Sequence, residues 1–526
     1  MTKVGSTEKL NKSINNTVII PTAGTGSRMG FYTSALNKAL LPYCFKPNLA
    51  HIIDQFPSDT HFIIPVGYKA DQIIDFCALA YPDRKISFVP IDDYESEKSG
   101  PGYTVSQCLH LLDSDFYYVP CDTFFNENIL DHGRDKDLVY VKQVPVELSH
   151  LYTMFDIDND YIKQISFKQT KPQNWTALTG VMYVYDWQGF KSRCLANSSS
   201  EIIYTIQLDT KTRELKSWLD FGNMKIYQQA VSSSQAYDFT KPDEMTVICN
   251  NKVVKWWANN TMAEKKYKRL QSNFNVFPNN CTYKGNWLSY DYFPGTTVYE
   301  NYNIETLRNL LTWLETTVWI HSDKNIKAEA EQFYINKTLD RVGIFLEKYP
   351  NLEKARMVNG ISVKDYNTYI RYLENNILTK DCLPGFIHGD LHFDNIIIDG
   401  KGNYKIIDWR PEFAGLTDVG DIYYDLAKLC GGFIINYSKI KQNDFTYNIV
   451  NDEVHITIPS ITDYTVYLDT VKNFVIERGW NWNKVCLLIP IIFWNMAPLH
   501  TPPFDKLLWY LGLYYFELYN RNETVL

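Results

Sequence analysis

The chain has 10 cysteines but no C-x-x-C pair, and it has no apolar run near its start. The first absence excludes a zinc ribbon or a thioredoxin-type redox site and reads as reduced thiols. The second excludes a signal peptide, because MTKVGSTEKLNKSINN is polar throughout, and residues 1–16 read as a flexible tail. A long hydrophobic run is missing too. The most apolar stretch, Val485 to Leu499, is interrupted by Asn495 and Pro498 and reads as a buried helix, so no membrane insertion is expected. Positive charge is not in excess: 52 Lys and Arg stand against 60 Asp and Glu, a net charge of −8, which speaks against a nucleic-acid-binding surface. With 45% hydrophobic and 21% charged residues the composition is that of a folded cytoplasmic protein, and 526 residues imply more than one domain. Aromatic residues are abundant, with 38 Tyr and 13 Trp. Such rings line sites for cationic or sugar-like ligands, although most serve as core.

The most informative stretch is Phe386 to Trp409, FIHGDLHFDNIIIDGKGNYKIIDW. His388-Gly389-Asp390 follows an apolar approach, Asn395 lies five residues beyond Asp390, and a second apolar run delivers Asp408. Asp399-Gly400-Lys401-Gly402 between the runs is a turn signal, so the expected form is loop, strand, turn, strand. Transfer of a phosphoryl group needs carboxylate and amide oxygens to hold Mg2+, and another carboxylate facing the attacking hydroxyl. Asp390 fits the catalytic role, with Asn395 and Asp408 as metal ligands. A plain polar hairpin would explain Asp399 but not the joint spacing, which matches the H-x-D-x-x-x-x-N loop of protein kinases.

This motif resembles the aminoglycoside phosphotransferase and choline kinase family of small-molecule kinases. The resemblance implies an α+β protein-kinase-like domain over 240–526, with an N-lobe at about 240–298 and a helical C-lobe at about 299–526. Lys255 ends an apolar strand, where the nucleotide-binding lysine is expected, with Lys252 as the alternative. Glu264 would pair with it, unless it merely pairs with Lys268 on one helix face. Residues 287–295 resemble the family's adenine-holding hinge, and 303–320, 326–349, 364–378 and 461–524 read as helical. Asp421 or Asp425 is expected to anchor the catalytic loop, and Trp480, Trp482, Trp494 and His500 are candidates for the acceptor wall. The missing D-F-G and A-P-E segments speak against a protein kinase.

The first half opens with a β-branched strand, 17–21, running into TAGTGSRMG. Glycines let backbone N–H groups approach phosphate oxygens, and Gly24 and Gly26 are placed for this. The loop lacks the third glycine of a dinucleotide fingerprint and the G-K-[ST] of a P-loop. Two cations, Arg28 and Lys38, accompany it, as suits a triphosphate whose pyrophosphate will leave. Alternating strands and helices imply a mostly parallel, Rossmann-like α/β sheet over 17–230, with the site at its carboxyl edge and a domain join at 228–240.

G-x-G-x-R-M followed by K-x-L-x-P resembles the sugar-phosphate nucleotidyltransferases. The resemblance implies Gly100 and Gly102 against the base, Asp122 and Asp220 as the Mg2+ pair, and Gly180 with Lys168 or Lys171 at the acceptor.

Two such halves on one chain imply sequential chemistry. A kinase would phosphorylate a small alcohol with ATP, and a nucleotidyltransferase would couple the product to CTP or another NTP for surface-glycan synthesis. Choline or ethanolamine is the favoured acceptor, with a sugar, amino sugar or polyol as the alternative. A catalytically inactive, regulatory half is the reading from a different class. The chain is compatible with an oligomer.

Overall fold

In the computed structural model, β-branched and aromatic runs of the first half form one buried sheet, as their propensity requires. The structure describes residues 16–521 except 97–98, 172, 198–200, 234–242, 353–354, 370–376, 441 and 443. The expected tail and the core of the expected join therefore lie almost wholly outside the described residues, as does half of the expected helix 364–378.

The chain divides into two compact units: residues 1–263 with 282–290, and residues 264–281 with 291–526. In the first, nine described strands run from edge to edge as Lys85–Pro90, His61–Val66, Thr17–Ile19, Phe116–Tyr118, Thr176–Val184, Leu138–Lys142, Lys211–Glu214, Tyr161–Phe167 and Thr153–Asp158. The first four are parallel. Beyond them antiparallel pairing dominates. This corrects the mostly parallel sheet expected above. Strands Thr153–Asp158 and Tyr161–Phe167 are joined by a tight turn at Asn159 and Asp160, both at positive φ, and a turn so short can only produce an antiparallel pair.

The join also differs from 228–240. The hairpin Glu244–Cys249 and Lys252–Trp257, with Trp287–Asp291 and Thr282–Lys284, forms a four-stranded sheet. Its apolar face (Met245, Val247, Val254, Trp256 and Trp287) enters the same core as Phe76 and Cys77 of the helix Ala70–Ala80. Ile248 donates its N–H to the Phe45 carbonyl at 2.8 Å, and the Asn250 amide donates to the Ala80 carbonyl at 2.8 Å. The strands expected as a kinase N-lobe thus share their core with the first half, which is why the compact units part after Ala263.

The second unit is largely helical. Its described helices include Ile304–Trp313, Lys337–Lys348, Ile422–Ile434, Tyr464–Glu477, Trp482–Met496 and Phe504–Asn520. Short strands Thr296–Thr297, Ile396–Ile398 and Tyr404–Ile406 form a three-stranded sheet, with Ile396 opposite Ile406. Asp399 closes the turn by accepting the N–H groups of Lys401 and Asn403. The helical run Trp482–Leu499 is long and apolar enough to cross a membrane, but 78% of it is buried inside the protein. Trp482 and Trp494 lie in this buried core. All ten cysteines are free.

Candidate active sites

In the first unit, strand Thr17–Ile19 leads into the glycine loop. Gly26 has φ +66, and a Cβ there would meet Thr33 Cγ2 at 3.0 Å and Lys38 Cβ at 3.2 Å. The loop therefore closes directly on the Lys38 turn. Asn37 holds that turn: its amide donates to the carbonyls of Thr22 (3.1 Å) and Tyr68 (2.7 Å), and its oxygen accepts from Ala39 N–H. Lys38 Nζ reaches Asp122 Oδ2 at 2.8 Å. Asn48 fixes the Asp122 segment by donating to the carbonyls of Cys121 and Thr123.

A second carboxylate arrives with Asp220, paired across a two-stranded ladder with Thr123. Between the acids lies Gly222, where a Cβ would fall 2.7 Å from Asp122 Oδ2 and 3.0 Å from Asp220 Oδ1. Burial and the nearby Asp122 charge push the Asp220 carboxyl up to about 6, although it accepts hydrogen bonds from Gly222 N–H and the Tyr152 hydroxyl. Burial works against ionisation of Asp122 as well, but the Lys38 ammonium holds its carboxyl below the usual range. Arg28 adds positive charge facing both acids.

Two crowded carboxylates fit a divalent cation, which would relieve their repulsion. Among the described residues no three His, Cys, Asp or Glu side chains converge on one point. Mg2+ suits such a two-carboxylate site, because it completes its shell with phosphate oxygens and water.

The remaining candidates of this half are placed as follows. Gly180, at φ +86, sits in the irregular stretch between Leu178 and Met182, and a Cβ there would strike Pro120 Cγ at 2.5 Å. Gly100 caps the helix Pro101–Ser106, in which Gly102 is buried. Lys168 pairs with Glu201 at 3.3 Å, and Lys171 lies 4.6 Å from the Trp175 ring centroid. Lys255 is buried on the strand Lys252–Trp257 of the first unit. Glu264 belongs to the second unit and accepts from Lys268 at 2.7 Å, the helix-face pair weighed as the alternative above.

In the second unit, the loop at His388 is fixed by one buried acid. Asp425 accepts His388 N–H on Oδ2 and Gly389 N–H on Oδ1, both at 2.7 Å, and Trp319 Nε1 donates to it at 3.1 Å. Burial pushes its carboxyl up to about 6 in spite of these donors. Asp425 is thus the anchor of the loop. Asp421 is engaged elsewhere, pairing with Lys484 at 2.8 Å where both side chains are wholly buried. Burial lowers the His388 pKa to about 4, so the ring is neutral. Its Nδ1 accepts Asp390 N–H at 3.1 Å, which leaves the proton on Nε2 to be donated to the Ile407 carbonyl at 2.7 Å. One histidine therefore ties the Asp390 loop to the strand leading to Asp408.

Asn395 donates to the Asp390 carbonyl at 2.9 Å, so its amide nitrogen faces the loop and its oxygen is left for another partner. Asp408 stands at φ +60, a backbone conformation that non-glycine residues adopt only where surrounding structure enforces it. An amide oxygen and a carboxylate are donors that fit Mg2+, so Asn395 and Asp408 would be the residues to hold it, and it would supply positive charge at the transferring phosphate. Lys428 Nζ contacts Asp390 Oδ1 at 2.7 Å. Burial opposes the charge on Asp390, yet Lys428 holds its carboxyl well below the usual range.

Sequence reasoning missed Asn37, Tyr152, Lys428 and Arg410. Lys428 alone carried a local signal, one helical turn after Asp425.

Residues 294–445 match the model of the phosphotransferase enzyme family. The first half resembles nucleotidyltransferases. A bifunctional protein GlmU of Methanococcus vannielii is 29% identical over 127 residues, 24% of this chain and 29% of that protein. The GlmU of Methanocaldococcus jannaschii is 29% identical over 158 residues, 30% of this chain and 36% of that protein. The chain thus spans about a third of the length of these curated relatives. Among solved structures, a UDP-glucose pyrophosphorylase from Acinetobacter baumannii aligns with 42% of this chain and 96% of its own, at 12% identity and TM-score 0.37. A UDP-glucose pyrophosphorylase complexed with UDP-glucose aligns at 16% identity and TM-score 0.36, covering 42% of this chain and 98% of its own.

Proposed function

We propose that this chain, joining a nucleotidyltransferase-like first half to a phosphotransferase-family second half, is a bifunctional enzyme that activates a small alcohol in two steps. In the first, the alcohol oxygen bonds the γ-phosphorus of ATP as the bond to the β-phosphate oxygen breaks. The hydroxyl proton passes to Asp390, and ADP leaves. In the second, a phosphate oxygen of the new monoester bonds the α-phosphorus of CTP or another NTP, and pyrophosphate leaves. The product is an NDP-linked group, the form in which surface-glycan substituents are transferred. Nucleoside triphosphates as substrates place the enzyme in the cytoplasm.

One observation carries this reading: each unit holds a carboxylate clamped by a lysine, Asp122 by Lys38 and Asp390 by Lys428, beside a further acid. In the second unit Asp390 starts ionised, orients the acceptor hydroxyl and takes its proton late, as the new bond to phosphorus forms. A loose, metaphosphate-like transition state asks for positioning more than for a strong base. Asn395 and Asp408 would hold Mg2+. In the first unit Asp122 and Asp220 would hold Mg2+, which offsets charge building on the α-phosphate. Arg28 and Lys38, with the Gly24–Gly26 loop, favour departure of pyrophosphate.

The test is an acceptor screen with ATP, CTP, UTP and Mg2+, read by mass spectrometry. An NDP-linked product requiring two nucleotides supports the two-step reading. A phosphomonoester alone would leave only the kinase.

A further inference from the structure

Asp390 is surrounded by more positive charge than its own carboxylate balances. Phe333, Lys337 and Arg341 are spaced four residues apart on the helical run 327–348, whose turn Gln332–Asn336 is a widened π turn of the kind frequent at functional sites. The helix Ile422–Ile434 carries Tyr424 and Lys428, and Arg410 follows Asp408 by two residues. The Lys337 ammonium lies 3.1 Å from the Phe333 ring centroid and 5.9 Å from that of Tyr424. The Arg410 guanidinium lies 5.1 and 6.0 Å from the same two centroids. Two cations thus share two aromatic faces.

No acid among the described residues pairs with Lys337, Arg341 or Arg410. Arg341 donates to the Asn495 carbonyl at 2.7 Å, and Arg410 to the Gly389 carbonyl at 3.3 Å. Asp390 is engaged by Lys428, Asp425 by backbone N–H groups, Glu412 by Lys265 and Asp418 by Lys324. Burial, then the charges of Arg410, Arg341 and Lys428, depress the Lys337 pKa to about 5, so near neutral pH its amine is uncharged until an anion beside it favours the proton again. All four cationic side chains keep part of their surface open to solvent. Like charges crowded without a counter-ion are costly, and a ligand that supplies the missing negative charge removes that cost.

We infer that the alcohol phosphorylated at Asp390 carries an anionic group, a carboxylate or a phosphate, seated between Lys337, Arg341 and Arg410 while its hydroxyl faces Asp390. This rests on the kinase reading of the second unit and names its substrate class. It sets aside choline and ethanolamine, whose ammonium groups would meet Arg341 and Arg410 with no acid to balance them. The cluster acts on the acceptor rather than on ATP, so it sets acceptor KM.

The experiment uses the full chain with ATP and Mg2+ against matched neutral, carboxylated, phosphorylated and ammonium-bearing alcohols. The panel includes glycerol, glycerate, glycerol 3-phosphate and choline. ADP release and product mass are the readouts. The expected result is a kcat/KM at least about tenfold higher for an acidic member than for its neutral analogue, equivalent to about 1.4 kcal/mol. The carboxylate and phosphate arms tell the two sources apart. Lys337→Met and Arg341→Met should each raise KM for that acceptor about tenfold, leaving kcat and the KM for ATP within twofold. Melting temperatures of the variants separate this from misfolding, and a wild-type preference for acids does not depend on them. Preference for a neutral or ammonium-bearing alcohol overturns the inference but keeps the kinase. A raised KM for ATP alone also overturns it. Transfer to no alcohol overturns the kinase reading and this inference with it.

Discussion

Lys428 Nζ meets Asp390 Oδ1 at 2.7 Å, joining the helix Ile422–Ile434 to the His388–Asn395 loop. The pair keeps the group ionised, while the second carboxylate oxygen of Asp390 has His392 Nε2 at 4.0 Å. Without Lys428 the Asp390 pKa returns upward, because the ammonium is what overcomes burial. Lys428→Met is therefore expected to lower kcat about a hundredfold and to move the acid limb of the pH–rate profile to higher pH. Steady-state phosphorylation between pH 4 and 8 checks both effects. An unmoved limb would separate Lys428 from Asp390.

The two steps should be separable by mutation. Asp390→Asn is expected to cost at least about 10³-fold in ATP-dependent phosphorylation while leaving pyrophosphate release from a supplied phosphomonoester unchanged. Asp122→Asn should do the reverse. A coupled enzyme assay for each product makes the comparison. Loss of both activities in either variant would argue against two independent centres.

Gly222 has carboxylate oxygens within 3.0 Å of where a Cβ would stand, on both Asp122 and Asp220. Gly222→Ala should therefore wedge the acids apart and lower nucleotidyl transfer about a hundredfold, with the Mg2+ concentration for half-maximal rate raised. Phosphorylation serves as the internal control. A variant with ordinary Mg2+ dependence would contradict the proposed metal pair.

His388 and Asp425 give opposite pH dependences of stability. His388 is depressed to about 4, so the unfolded chain binds the extra proton between there and the free value, and stability from this group falls as pH drops through that window. Asp425 is raised to about 6, so the folded chain binds the extra proton, and stability from this group falls as pH rises from the ordinary carboxylate value towards 6. His388→Gln should unmask the Asp425 slope in urea unfolding between pH 4 and 7. Asp425→Ala should unmask the His388 slope. It should also cost about 1–3 kcal/mol for each N–H left without an acceptor. Parallel slopes in the two variants would overturn the assignment.

The chemistry-bearing residues were legible because they travel in short motifs. His388, Asp390, Asn395 and Asp408 fall within two strands and a turn, and Gly26, Arg28 and Lys38 within one loop. What holds them was not legible. Asn37 reaches back to Thr22, Tyr152 crosses to Asp220, and Trp319 reaches Asp425, contacts between residues far apart in the chain. Lys337 and Arg341 looked like ordinary helix-surface charge, since an i,i+4 pair of cations carries no sign of what faces it.

The sequence by itself determined the two motif-bearing halves, their order along the chain and many of the strands and helices that present the motifs, because local spacing and periodicity are properties of neighbouring residues. Tertiary structure alone decided three further matters. It chose Asp425 over Asp421 as the anchor, since both acids are buried but Asp425 accepts the His388 and Gly389 N–H groups while Asp421 pairs with Lys484. It gave the strands 244–257 to the first core, since their apolar face packs with Phe76 of that core. And it gathered Lys337, Arg341, Arg410 and Lys428 into one cluster, which exists only once the helical run 327–348, Arg410 and the helix Ile422–Ile434 are packed together.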